Sequence, residues 1–90
     1  MAEVEPPQLE KGLAEAVVGA DWAKSMTLYI PNQVRLYTPD GKQKIMVNAP
    51  DELINALEIA AAYPDKLKVF FWWDDNDAID SVAFIGSLGS

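Results

Sequence analysis

Lys66-Leu67-Lys68-Val69-Phe70-Phe71-Trp72-Trp73 runs straight into Asp74-Asp75-Asn76-Asp77, and this join decides how the chain must fold. Alternation along a strand puts Leu67, Val69, Phe71 and Trp73 on one face. Lys66, Lys68, Phe70 and Trp72 fall on the other. The first set is wholly apolar and marks a core face. The second starts with two lysines and ends with two aromatics, so it begins in water and needs cover toward the acidic end. A strand that is apolar on both faces must be covered on both or left adhesive. The Asp and Asn residues that follow suit a turn, and the pair reads as a hairpin. Its return strand, Ile79 to Ile85, is expected to place Val82 and Phe84 on one face and Ile79, Ala83 and Ile85 on the other.

Upstream, Asn48-Ala49-Pro50-Asp51-Glu52 carries the chemistry of a helix start. Proline is tolerated in the first turn, and carboxylates there favour the positive end of the helix dipole. Leu53, Ile54, Leu57, Ala60 and Ala61 then line one face, and Tyr63-Pro64-Asp65 ends the helix. Before it, Thr38-Pro39-Asp40-Gly41 supplies a turn in which proline presets φ and Gly41 accepts a positive one. The expected hairpin runs from Val34 to Val47, with Val34, Leu36, Ile45 and Val47 buried. Another strand, Met26 to Ile30, is set off by Pro31-Asn32.

Leu9, Leu13, Ala16, Val17 and Ala20 recur at the spacing of an amphipathic helix. It starts at Gln8 and is read through to Lys24, although Gly12 and Gly19 each weaken it by about 1 kcal/mol. Residues 1–7, with Pro6-Pro7, read as a flexible arm, and residues 87–90 as a frayed end. The resulting order is α-β-β-β-α-β-β. It predicts a single small α+β domain over residues 8–86, with a mainly antiparallel sheet of about five strands and two helices.

Ninety residues fit one core, and the chain contains neither cysteine nor histidine. Disulfides, thiolate nucleophiles, imidazole ligands and His-dependent triads are thereby excluded. Fourteen acidic residues against seven basic ones give a net charge of −7. That balance opposes direct binding to nucleic acid or anionic membrane. No apolar run reaches the roughly 20 residues of a membrane-spanning helix, and the acidic start does not resemble a secretory signal. A cytoplasmic protein is the default expectation.

Asp74, Asp75, Asp77 and Asp80 form the only dense carboxylate cluster. The loop lacks the glycine and closing glutamate of an EF-hand, and a mobile tip would leave its acids solvated, so neither metal binding nor acid–base catalysis is expected. No glycine-rich phosphate loop or cofactor motif is present. Arg35, Lys42 and Lys44 with Tyr29 and Tyr37 suggest a basic-aromatic surface, but the solvated outside of a hairpin explains them better. Phe70, Trp72, Asp74, Asp75 and Asp77, with Asp80 at the margin, make the candidate partner-binding set. Aromatics are enriched at interface hot spots, and carboxylates would steer a basic partner. The competing placement puts both aromatics in an ordinary core.

In size, acidity and lack of catalytic groups, the chain resembles the small acidic single-domain proteins by which viruses inhibit host machinery. Some of those present carboxylates that mimic DNA phosphates. The resemblance implies a non-enzymatic inhibitor or adaptor that occludes a protein surface. The alternative is a structural subunit that forms a homo-oligomer through the aromatic strand.

Overall fold

The computed structural model describes residues 17–86. They form β1 (Gly19–Trp22), β2 (Ser25–Tyr29), β3 (Gln33–Tyr37), β4 (Gln43–Met46), α1 (Asp51–Ala62), β5 (Leu67–Trp73) and β6 (Ile79–Gly86). The strands make two three-stranded antiparallel sheets, ordered β1-β5-β6 and β2-β3-β4. The expectation of two helices and a single sheet of about five strands is therefore corrected. Six strands and one helix lie within the described residues, and the architecture is mostly β. The expected arm at 1–7, the first part of the expected helix and the frayed end at 87–90 lie outside them.

The expected continuation of the first helix to Lys24 is overturned. Residues 19–22 pair antiparallel with β5, Gly19 opposite Trp73 and Trp22 opposite Phe70. Helical spacing alone favoured a helix here. The aromatic strand overrides it, because β5 presents backbone donors and acceptors on both edges and needs a neighbour on each. Gly19, read from sequence as a weak point in a helix, serves a close approach. A Cβ at this position would lie 2.5 Å from the Trp73 ring.

Two corners stitch the sheets together. The Ala23 amide donates to the Val69 carbonyl at 2.8 Å, while the next amide, Lys24, donates to Tyr37 at 2.8 Å. β1 and β2 thus act as two halves of one bent strand that changes sheet at residues 23–24. At the other corner the Ile45 amide donates to the Asp77 carbonyl at 3.0 Å, beside a parallel bridge between Ile45 and Ala78. Val34, Leu36, Ala49, Leu57, Ala60, Val69, Phe71 and Ile79 fill the core between the sheets and α1.

α1 follows its sequence signals. Asp51 and Glu52 occupy the first turn, and Leu57 and Ala60 are buried. Pro50 caps the helix without a side-chain bond. Asn32 reinforces the entry instead, donating from Nδ2 to the Ala49 carbonyl and to Asp51 Oδ1, each at 2.7 Å. Ala61 is exposed, contrary to expectation.

Two register details reverse the expected faces. In the β3–β4 hairpin Val34 opposes Met46 and Leu36 opposes Lys44. Lys44 and Met46 therefore point inward, while Val47 is exposed. The five-residue connection 38–42 sets this parity, and a slip of one residue exchanges faces. In β6 the register shifts between Trp72 and Trp73, which pair with Ser81 and Ile79. Asp80 is the extra residue of this bulge. Ile79 consequently joins the core, to which Val82 and Phe84 also pack, instead of facing outward with Ala83 and Ile85.

The connection 38–42 has its own electrostatics. The Thr38 hydroxyl donates to the Asp40 carboxylate and accepts from the Lys42 amide at 3.0 Å. The Thr38 hydrogen bond, aided by the Lys42 charge, holds the Asp40 carboxyl below its ordinary 3.8. Thr38→Val is expected to move the Asp40 pKa upward toward 3.8 in a carboxyl-resonance titration. A depressed native pKa contributes stability above the unfolded-state value, lost as pH falls through the folded one. The stability difference between wild type and Thr38→Val that this carboxyl causes is expected to shrink over that range of acid.

Candidate functional site

The acidic tip is built from its own backbone upward. Asp74 closes the loop: its Oδ1 accepts from the amides of Asn76 at 2.9 Å and Ala78 at 3.1 Å. The Asp74 amide donates to the Ala78 carbonyl at 3.0 Å, and the Asp77 amide donates to the Asp74 carbonyl at 3.2 Å. Asp77 adopts a left-handed backbone with φ of 61°, a conformation Asp tolerates better than most residues. These bonds tie the loop together across its base.

Lys44 supports the tip from below. Its Nζ donates to Asp77 Oδ1 at 2.6 Å and stands 4.6 Å from the centroid of the Trp73 ring. The lysine side chain is 8% exposed and the aspartate 67%. A nearly buried ammonium is thus paired with a carboxylate on the solvent side and set against the face of an aromatic ring. Sequence reading placed Lys44 in solvent and missed this role. The signal was the length of the 38–42 connection, which fixes which β4 residues face inward.

The candidate set divides into two environments. Phe70 and Trp72 are buried, at 6% and 7% exposure. They pack on the face of β5 opposite Phe71, with Trp22 edge-on to Phe70 at 4.9 Å and Phe70 edge-on to Trp72 at 5.1 Å. In this arrangement they form an apolar layer, and neither is available as an exposed anchor. Trp22 went unnoticed because its segment read as helical. Among the acids, Asp74 is engaged by the loop and Asp77 by Lys44. Asp75 and Asp80 are exposed and make no ion pair among the described residues.

No protein family, curated protein or solved structure matches this chain significantly. The chemistry of the site therefore rests on its own residues. Among the described residues no three acidic side chains converge as metal ligands; Asp74 and Asp77 turn to different partners. The cations considered for a basic-aromatic surface are also dispersed. Lys44 points inward, and Lys42 lies 3.9 Å from Asp40. Arg35 lies 4.4 Å from the Tyr29 ring centroid and donates through Nε to Gln33 at 3.1 Å. No helix among the described residues is long and apolar enough to cross a membrane.

Proposed function

We propose that this chain is a small non-enzymatic protein-binding module, an inhibitor or adaptor that occludes a basic surface on another protein. The observation that carries this reading is the hydrogen-bonded acidic tip. Hydrogen bonds within the loop and the Lys44 contact hold it, and they leave Asp75 and Asp80 directed to solvent. A carboxylate presented from an ordered loop loses less entropy on docking than one on a mobile segment. Exposed acids on a chain of net charge −7 also accelerate encounter with a cationic partner. Asp75 and Asp80 would contact the partner, with Asp74 and Asp77 holding them in place. The buried Phe70 and Trp72 support the sheet from which the tip projects.

The test compares capture of binding proteins from the native host's lysate by wild type and by Asp75→Lys with Asp80→Lys. Both positions are exposed, so matched circular dichroism and melting curves are expected. A basic partner retained by wild type at low salt is expected to be lost from the double variant, and from wild type at high salt. Undiminished capture by the variant would overturn the proposal.

A further inference from the structure

β5 is paired with β6 along its length and with β1 over its aromatic run, Phe70 to Trp73, so the aromatic run has no edge to offer a second chain. β6 does. Just before it, Ala78 is bridged to Ile45, but among the described residues no strand pairs with its outer edge from Asp80 to Gly86. This edge also carries little protection in its own residues. Ile79–Gly86 contains no lysine and no proline, one charge, and a bulge only at its start. Edges that avoid pairing are normally short, charged, kinked or covered.

We infer that β6 is a self-association edge, pairing antiparallel with β6 of a second copy to make one six-stranded sheet. A two-fold axis normal to the sheet keeps core faces aligned only when it passes through a residue, because facing alternates along a strand. Centring it on Ala83 gives the longest overlap of the unpaired segment. Val82 then opposes the partner's Phe84 on the core side, Ser81 opposes the partner's Ile85 on the other, and Asp80 opposes the partner's Gly86. Charge favours this arrangement. Gly86 is paired with Leu67, which lies between the exposed Lys66 and Lys68. Each acidic tip is thus brought toward the basic end of its neighbour, and the two tips stay at opposite ends of the sheet. The inference does not rest on the proposed partner: Asp75 lies outside the shared edge, whereas Asp80 sits at its end, so contact with another protein through Asp80 would compete with self-association.

The chain contains no cysteine, so a single introduced thiol reports on one position. Residues opposite one another in an antiparallel pair have Cα atoms roughly 4.5–5.5 Å apart, within disulfide range. Ala83→Cys is expected to form a covalent dimer under mild oxidation. Ser81→Cys, whose own copies would sit four residues out of register, is expected to remain uncrosslinked. The unmodified chain is expected to show twice its 9.9 kDa mass at high concentration and to dissociate on dilution. Lys66→Glu with Lys68→Glu is expected to raise the dimer dissociation constant about tenfold, an effect that salt reduces. A single-chain mass at every concentration, or equal crosslinking of the two cysteine variants, would overturn the inference. Partner capture by Asp75→Lys alone, a position outside the shared edge, judges the proposed function separately, and the mass of the unmodified chain does not bear on it.

Discussion

Phe71→Ala is expected to lower the stability of this domain by about 3–5 kcal/mol, the range for deleting a buried phenylalanine side chain. Phe71 is fully buried at the middle of the central strand of its sheet, between Val82 on β6 and Asp21 on β1. Its ring belongs to the core shared with Leu36 and Leu57, which come from the other sheet and from α1. The cavity would open where three elements meet, and neighbours fixed by two strand ladders have little freedom to collapse into it. A domain of this size holds roughly 5–15 kcal/mol. A loss of this order leaves the variant near its folding threshold. Urea denaturation should show a lower midpoint with little change in slope if the fold persists. A change of less than about 1 kcal/mol would mean that the core is not organised around this ring.

The second large effect concerns the Lys44–Asp77 pair, and its direction depends on which partner is removed. Asp77→Ala is expected to cost about 2 kcal/mol through the ammonium it strands, which the fold has largely taken out of water, and about 1 more for placing alanine in the left-handed backbone of this position. The cost of breaking a fully buried pair is about 3–5 kcal/mol. The smaller value reflects the exposure of Asp77, which lets water replace part of the lost interaction. Lys44→Met is expected to change stability by less than about 1 kcal/mol, since it removes the charge that needed a partner and keeps an unbranched chain against Trp73. Lys44→Met with Asp77→Ala should then restore the part of the Asp77→Ala loss that comes from the stranded ammonium, leaving the backbone part. Chemical denaturation of the three variants in a double-mutant cycle measures the coupling directly. Additive losses would show that the short contact contributes nothing.

Much of the local structure was legible because it depends on nearby residues. The helix at 51–62 follows from Asp51, Glu52 and the spacing of Leu53, Ile54, Leu57 and Ala60. The β5–β6 hairpin follows from the alternation that ends at Asp74. What could not be read depends on pairing across the sheets. Gly19–Trp22 has apolar spacing that suits a helix, and its strand conformation comes from the ladder with β5, whose paired residues lie 48 or more positions away in sequence. The inward turn of Lys44 and of Ile79 each results from one residue of connection length or bulge, a detail that composition does not encode. The acidic cluster was visible as a set of residues, whereas the division of labour within it was not. Asp74 and Asp77 look like Asp75 and Asp80 in sequence, and only the loop geometry and a lysine from another sheet distinguish them.

The cation held over Trp73 also turns this indole into an optical gauge of the tip. The ring lies on a single electrostatic path with Lys44 and Asp77, whereas Trp22 and Trp72 belong to the separate aromatic layer with Phe70. Any ligand that draws Asp77 away from the ammonium alters the field at Trp73 and leaves the other two indoles in their surroundings. Emission from a chain retaining Trp73 alone, with Trp22 and Trp72 replaced by phenylalanine, would therefore follow occupancy of the acidic loop without an attached dye.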